Sequence, residues 1–418
     1  MVIDKFLTWF MRKKASSYLT FNNLGDIEPP QAPTKPIYLY IHIPFCSELC
    51  PYCSFHRVRY SDDKAKIYFT ALKKELLMYR DRGFRFSNVY IGGGTPTISL
   101  KELYETLALL QELFSPEEIS VETNPDRLDR DILSELAGLG VKRVSVGIQS
   151  FADEILRAIG RLEKYGSRQR LMDKLQGAKG YVDTLNVDMI FNFPIQDRDM
   201  LESDLDDLYE ISPDQITFYP LMVSNATRKK MKTLMGSVDL QKERLFYEII
   251  NSRLADTYKP GSAWCFSRKD SKMIDEYIVS GSDYVGAGSG AFGLVNGAIY
   301  ANTFSLNEYA VDIDQGRFPL YAKKGFSSRE MARYSFLMDL FGLYLDRDRF
   351  RRRFKRDILY MLGPECLFFY LAGGLSIDAD SIRLTQRGRY YWVVMMREFF
   401  IGVDNFRDIS RGAAGITL

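Results

Sequence analysis

Ile-Pro-Phe-Cys-Ser-Glu-Leu-Cys-Pro-Tyr-Cys-Ser-Phe-His (43–56) sets Cys46, Cys50 and Cys53 on one short loop at C-x3-C-x2-C spacing. Three thiols so spaced can face a common centre, but they leave a tetrahedral site one ligand short. Cubane iron–sulfur clusters are held by Cys thiolates, normally four. With three, one iron is open to bind and reductively cleave a small molecule. Zinc is the competing reading, because structural zinc closes with four Cys or His ligands and His56 lies near enough to be the fourth. A zinc knuckle generally has a second ligand pair downstream. Here the only other histidine is His42, and Cys265 and Cys366 stand singly.

Outward from this loop, strand and helix patterns alternate. Strands are predicted over 38–43, 88–91, 118–122, 142–148, 184–191 and 215–219. Helices are predicted over 62–82, 100–113, 129–139, 153–159, 167–176 and 200–209. Six strand–helix units with short connections predict an α/β fold, a partial (β/α)6 barrel of TIM type. In such barrels the chemistry sits at the carboxyl ends of the strands. The cysteine loop follows the first strand, Gly92-Gly93-Gly94-Thr95-Pro96-Thr97 the second, and Glu122, Gln149 and Asp188 lie at the next three. Five unusual features on one rim argue for one site.

The remaining chain divides into an amino-terminal segment and linker (1–35), the barrel core (36–225), a barrel extension with a glycine-rich run (226–325) and an accessory domain (326–418) of α+β, winged-helix-like character. Residues 281–297 hold six glycines, a backbone built for close approach. Tyr390–Val403, rich in aromatics and Met, reads as a core helix or as a lid over an apolar substrate. A net charge of +2 gives no general electrostatic case for nucleic acid. Five cysteines, three of them clustered, form no disulfide framework, which predicts a reducing, cytoplasmic setting. No run is long enough for a transmembrane helix. Ile3, Phe6, Leu7, Phe10 and Met11, followed by Arg12, Lys13 and Lys14, form either a membrane-surface helix at the inner face or a helix packed on the protein's own body. This segment lacks the cleavage site of a secretory signal.

The C-x3-C-x-Tyr-Cys loop behind Tyr40-Ile41-His42-Ile43-Pro44-Phe45 resembles the radical S-adenosylmethionine (SAM) superfamily, and more narrowly its coproporphyrinogen III dehydrogenase group. Gly-Gly-Gly-Thr-Pro-Thr (92–97), Glu122 with Asn124-Pro125, Gly147-Ile148-Gln149-Ser150-Phe151, Arg161, Asp188 and Val285–Phe292 extend the resemblance over about residues 36–400. The resemblance implies a [4Fe–4S] cluster on Cys46, Cys50 and Cys53, with SAM on its open iron and a reduced flavodoxin or ferredoxin as electron donor. It implies SAM contacts at Tyr40, Tyr52, Gly93, Gly94 and Glu122, and a second SAM at Thr95, Gln149, Arg161 and Asp188. Met222 and Phe292 are further expected cofactor contacts. Gly93 and Gly94 are expected to offer N–H groups to the SAM methionine. His56 is either a proton-transfer group or packing beside the cluster.

One departure from the pattern bears on function. Coproporphyrinogen dehydrogenases carry a Cys where this chain has Phe55, which is similar instead to the methyltransferase branch or to the related haem chaperone. The first expectation is therefore a two-SAM methyltransferase acting on an sp2 carbon of a flat apolar substrate such as menaquinone. The alternatives are decarboxylation of coproporphyrinogen propionates, with Arg351, Arg352, Arg353 and Arg356 as candidate carboxylate ligands, and a haem chaperone. The last needs an axial ligand from His42 or His56.

Overall fold

The computed structural model describes residues 2–18, 21, 27–270 and 283–415. Met1 and Gly281, which fall within the amino-terminal and glycine-rich readings, lie outside them. The barrel strands are β1 (Ile37–Ile43), β2 (Phe86–Gly93), β3 (Glu118–Thr123), β4 (Val141–Gln149), β5 (Thr184–Phe191) and β6 (Gln215–Pro220). They are followed by β7 (Tyr258–Pro260), β8 (Cys265–Arg268), β9 (Tyr284–Ala287), β10 (Phe292–Val295), β11 (Ala298–Asn302) and β12 (Leu320–Gly325). One twelve-stranded sheet runs β12-β11-β10-β9-β1-β2-β3-β4-β5-β6-β8-β7. From β9 to β6 all neighbours are parallel; the outer strands are antiparallel. The (β/α)6 expectation holds, with a seventh parallel strand, β9, beside β1.

Helices between the strands cover the outer face of the sheet, and others precede and follow them. They include α1 (Val2–Tyr18), α2 (Asp62–Asp81), α3 (Leu100–Phe114), α4 (Arg130–Gly138), α5 (Arg168–Ala178), α6 (Arg198–Ile211), α7 (Asn225–Met235) and α8 (Leu240–Leu254). Further on come α9 (Ser328–Phe341), α10 (Arg347–Phe354), α11 (Gly363–Leu371) and α12 (Gln386–Ala413). The outward residues Ile41, Ile43, Ile91, Val121, Val144, Val146, Val187 and Ile216 are fully buried against this layer. Among the described residues, no helix is long and apolar enough to cross a membrane.

The inward residues are different in kind. Parallel strands covered on both faces ordinarily read as continuous apolar runs; here alternate positions are polar. Tyr90 donates to Glu122 (2.8 Å) and Ser145 to Asp188 (2.8 Å). Asn186 bridges Ser145, Asp188 and Thr217 (2.8–3.0 Å). Arg143 donates to Gln215, which donates to Ser267 (2.7 and 3.1 Å). Most of these side chains are themselves buried, so this part of the barrel is filled by a polar network of its own.

Two buried carboxylates pin the rim loops from the helical side. Glu75 of α2 accepts from Gly288 N–H (2.8 Å), Tyr309 (2.6 Å) and Asn302 (3.4 Å). Asp204 of α6 accepts from Phe151 N–H (2.7 Å) and Ser150 (2.9 Å). Burial pushes both acids up to about 7. Their folded values lie above the ordinary 4.5 and 3.8, so the folded state binds more protons than the unfolded one across that window. Stability from these groups is full below about 4 and falls as pH rises to about 7. Denaturant titrations of the Glu75→Gln/Asp204→Asn double variant are expected to show a flatter stability profile between pH 4 and 7 than the native protein. An unchanged slope would refute the assignment.

Candidate active site

The cysteine loop is closed at its base by backbone bonds. Val58 N–H reaches the Pro44 carbonyl (2.7 Å) and Tyr60 N–H the Cys46 carbonyl (2.9 Å). Inside the loop, the Arg57 guanidinium donates to the carbonyls of Cys50 and Cys53. This buried arginine shapes the loop and sets a positive charge beside three thiols. Among the described residues, no three His, Cys, Asp or Glu side chains stand close enough to hold a single ion. Cys46 meets the Thr95 hydroxyl (3.7 Å) and Cys50 the Arg161 guanidinium (4.0 Å). None of the five cysteines is in a disulfide. Burial pushes Cys46 up to about 11 and raises Cys53 as well, so metal loading must displace protons.

The glycine turn after β2 docks directly onto this loop. Gly94 N–H donates to the Ile43 carbonyl (2.7 Å) and Thr95 N–H to the Phe45 carbonyl (2.8 Å). A Cβ on Gly94 would stand 2.6 Å from the Phe45 carbonyl oxygen, and Gly93 has φ +115° with a would-be Cβ 2.5 Å from the His42 ring. The expectation that Gly93 and Gly94 hold N–H groups open to SAM is corrected here. Gly93 N–H is bound to Glu122 (2.9 Å) and Gly94 N–H to Ile43. The glycines serve close approach, and Glu122 is engaged by Gly93 and Tyr90, with its carboxyl raised by burial.

From Thr95 a relay crosses the rim. Asn124 of the turn after β3 donates to Thr95 (2.9 Å), and Arg161 donates to Asn124 (3.0 Å) and to the Gly147 carbonyl (2.5 Å). Thr95 and Arg161, expected at a second SAM, stand at the thiols themselves. Gln149 has φ +78°, and its amide lies over Gly147, 2.8 Å from that residue's would-be Cβ. Asp188 sits deeper, on the polar ladder with Ser145 and Asn186. Met222 is half-buried, two residues beyond β6. Tyr52 packs edge-on against Phe193, which commits one side of its ring to the protein.

The two histidines are locked. His42 Nε2 donates to the His56 carbonyl (2.8 Å), which leaves Nδ1 to accept from Tyr40 (2.8 Å). His56 Nε2 meets Ser289 (3.2 Å), whose hydroxyl donates onward to the Thr303 carbonyl. Both rings are fully buried. Desolvation lowers His42 to about 3 and His56 well below its usual value. Of the two roles expected for His56, the neutral packed ring is what the geometry supports. Cys265 is a buried strand residue of β8, paired with Thr217.

The carboxyl end of α12 closes over the mouth. Arg411 donates to the Phe55 carbonyl (2.7 Å), and Arg407 lies 4.9 Å from the Phe55 ring and 5.4 Å from that of Phe292. Asn405 and Asp408 accept from the first N–H groups of α7 (2.8 and 3.2 Å). Tyr390–Val403, read as core or lid, is the buried half of this one helix; the lid is its last three turns. Sequence reasoning missed Arg57, Arg407 and Arg411. The arginines of α10 are not at this site. Arg349 and Arg353 pair with Asp339 and Asp283 around a groove of about 480 Å3. Asp283 directly precedes β9, whose Tyr284 pairs with Tyr38 near the start of β1, so the groove opens at the end of the sheet opposite the thiols.

Residues 40–208 match the Radical SAM superfamily. The heme chaperone HemW of Lactococcus lactis is 29% identical over 389 residues, covering 89% of this chain and 99% of that protein. The oxygen-independent coproporphyrinogen III oxidase of Paracoccus denitrificans is 27% identical over 398 residues, covering 87% and 86%. The solved coproporphyrinogen III oxidase (HemN) from Escherichia coli superposes with a TM-score of 0.73 at 21% identity, covering 90% and 92% of the two chains. The radical SAM reading and its coproporphyrinogen-oxidase-like fold are thereby borne out. That superfamily implies a [4Fe–4S] cluster and SAM, and three free thiols on an arginine-clamped loop fit the cluster. Gly94→Ala is expected to cost ~1–3 kcal/mol and to lower cluster absorbance after anaerobic reconstitution. Cys50→Ala should abolish that absorbance. Native spectra in both would contradict the site.

Proposed function

We propose that this protein is a radical SAM enzyme acting on a tetrapyrrole, oxidatively decarboxylating propionate side chains of the coproporphyrinogen III type. The observation that carries this reading is Arg407. Its guanidinium is buried at the mouth of the polar barrel, stacked on Phe55 and Phe292, with one edge tied to Asp404 (2.7 Å). Its Nε–H is buried without a protein acceptor, and its charge reaches Tyr40, His42 and Tyr284 on the inner face of β1 and β9. A guanidinium held by ring faces presents its edge, the geometry that binds carboxylate. The relatives named above, a haem chaperone and a coproporphyrinogen oxidase, support a tetrapyrrole over a quinone.

The methyltransferase reading rested on Phe55 together with the expected second-SAM residues, the amphipathic amino terminus and the aromatic carboxyl-terminal segment; of these, Phe55 has another task here. Its ring supports Arg407 and its carbonyl holds Arg411, so lid packing explains a Phe at that position. A haem-carrying role by histidine ligation meets two fully buried imidazoles: His42 is hydrogen-bonded through both ring nitrogens and His56 through Nε2, its Nδ1 being buried without a partner.

When bound, the cluster and SAM, fed one electron by a reduced flavodoxin or ferredoxin, supply a 5′-deoxyadenosyl radical. Each propionate decarboxylated would give up a hydrogen atom to that radical, forming 5′-deoxyadenosine, and then carbon dioxide and one electron, the electron passing to an external one-electron acceptor, to leave a vinyl group. The protein's residues do the positioning. Arg407 holds a carboxylate, Phe55 and Phe292 shield it from water, and Arg161 and Arg57 offset the charge of the thiolate loop. Gln149 and Asp188, with Thr95 and Arg161 nearer the thiols, remain the proposed surroundings of a second SAM.

Anaerobic turnover with coproporphyrinogen III is expected to yield 5′-deoxyadenosine and carbon dioxide together. Arg407→Met should lower kcat/KM for this substrate about 10- to 150-fold, the worth of a hydrogen bond to a charged group, and leave cluster absorbance unchanged. A product heavier by one methyl group, formed with S-adenosylhomocysteine, would restore the methyltransferase reading. Stoichiometric haem binding without turnover would favour a carrier.

A further inference from the structure

We propose that α1 and α11 together form a docking face for an anionic lipid bilayer. Helix α1 has two apolar faces. Leu7 and Thr8 are buried and Ile3 and Met11 half-buried on the side packed against α12. Phe6, Trp9 and Phe10, spaced i, i+3, i+4, are exposed on the other. A helix that only packed on its own domain would need the first face alone. The second face continues onto α11. Phe6 contacts Phe368 (ring centroids 5.6 Å apart), and Leu367 and Leu371 of the same helix are 56% and 74% exposed.

Charge decides what covers this face. Lys5, Lys13 and Lys14 are exposed along α1, with Lys13 over the Trp9 ring (5.3 Å). Of the acids on these two helices, Asp4 pairs with Arg244 (3.3 Å) and Glu365 with Arg333 (2.8 Å). An apolar strip of Trp, Phe and Leu edged by lysines matches the bilayer interface, where aromatic rings sit at headgroup depth and lysines meet lipid phosphate. A second copy meeting the same face about a two-fold axis would set lysine against lysine. The face is rigidly mounted, because Arg12 of α1 binds Glu398 of α12 (2.7 Å).

The test reads binding directly, without turnover. Trp264 and Trp392 are fully buried, while Trp9 is 56% exposed, so iodide-quenchable tryptophan emission reports Trp9. The full chain with reconstituted cluster is mixed with vesicles of phosphatidylcholine, with or without phosphatidylglycerol. Phosphatidylglycerol vesicles should sediment the protein, shift Trp9 emission to the blue and abolish iodide quenching; phosphatidylcholine alone should do much less. Phe6→Ser/Phe10→Ser and Lys13→Glu/Lys14→Glu should each weaken partitioning at least about tenfold with cluster absorbance unchanged. Native protein that stays in the supernatant with Trp9 still quenchable overturns the proposal. So does protection of Trp9 by self-association without lipid.

Discussion

The site depends on one contact, the docking of the β2 glycine turn onto the base of the cysteine loop. Two backbone bonds, from Gly94 to Ile43 and from Thr95 to Phe45, bring the ends of neighbouring strands within reach of each other. A side chain at Gly94 would run into carbonyl oxygens on both sides of Pro44. Through Thr95 the contact extends to Asn124 and Arg161, so one glycine sets the distance between the thiols and three strand ends. Backbone atoms cannot swing aside as a long side chain can, which makes this the least adjustable point of the rim.

Rim loops of a barrel are otherwise the parts freest to move. Here they are held from behind by acids buried among apolar residues. Glu75 lies between Leu72 and Leu76, and Asp204 between Leu201 and Leu205. Each sacrifices helix amphipathicity to satisfy N–H and O–H groups at the rim: Gly288, the end of β11 and Tyr309 for Glu75, Ser150 and Phe151 for Asp204. A buried acid is stable only if its lone pairs are met, so its presence forces the loop into one conformation. The pH sensitivity of these groups accompanies that rigidity.

Much of this was legible in the chain. The strand–helix alternation and the placement of Cys46, Gly93, Glu122 and Gln149 at strand ends rest on local spacing; Asp188 lies inside β5, three residues short of its end. What escaped notice is what local spacing does not encode. Strand β9 pairs with β1 across more than 240 residues of sequence, and its four residues carry no signal of their own. Glu75 and Asp204 read as slips in an apolar stripe. Asp404, Arg407, Asp408 and Arg411, at i, i+3, i+4, i+7, read as an ordinary solvated helix face. Arg351–Arg356 looked functional because it was a run of charge; Arg351 pairs with Asp348 and Asp357 of its own module and Arg353 with Asp283 before β9.

Helix register links the lid to the rest of the molecule. A one-residue slip of α12 would carry Arg407 about 1.5 Å along the axis and turn it roughly 100°, off both aromatic faces. Hydrophobic packing resists such a slip weakly, because Tyr390, Trp392, Val393, Met395 and Met396 offer several comparable fits. A buried ionic network does not. Arg397 binds Glu243 of α8, Glu398 and Thr8 of α1, and Tyr390 reaches the same Glu243 (3.1 Å). Buried ion pairs contribute little net stability against well-packed apolar residues, but a wrong register would strand charges away from water. The middle of α12 therefore fixes the axial position that its end uses to set Arg407 against Phe55. The same network seats α1, so the lid and the exposed aromatic face share one frame.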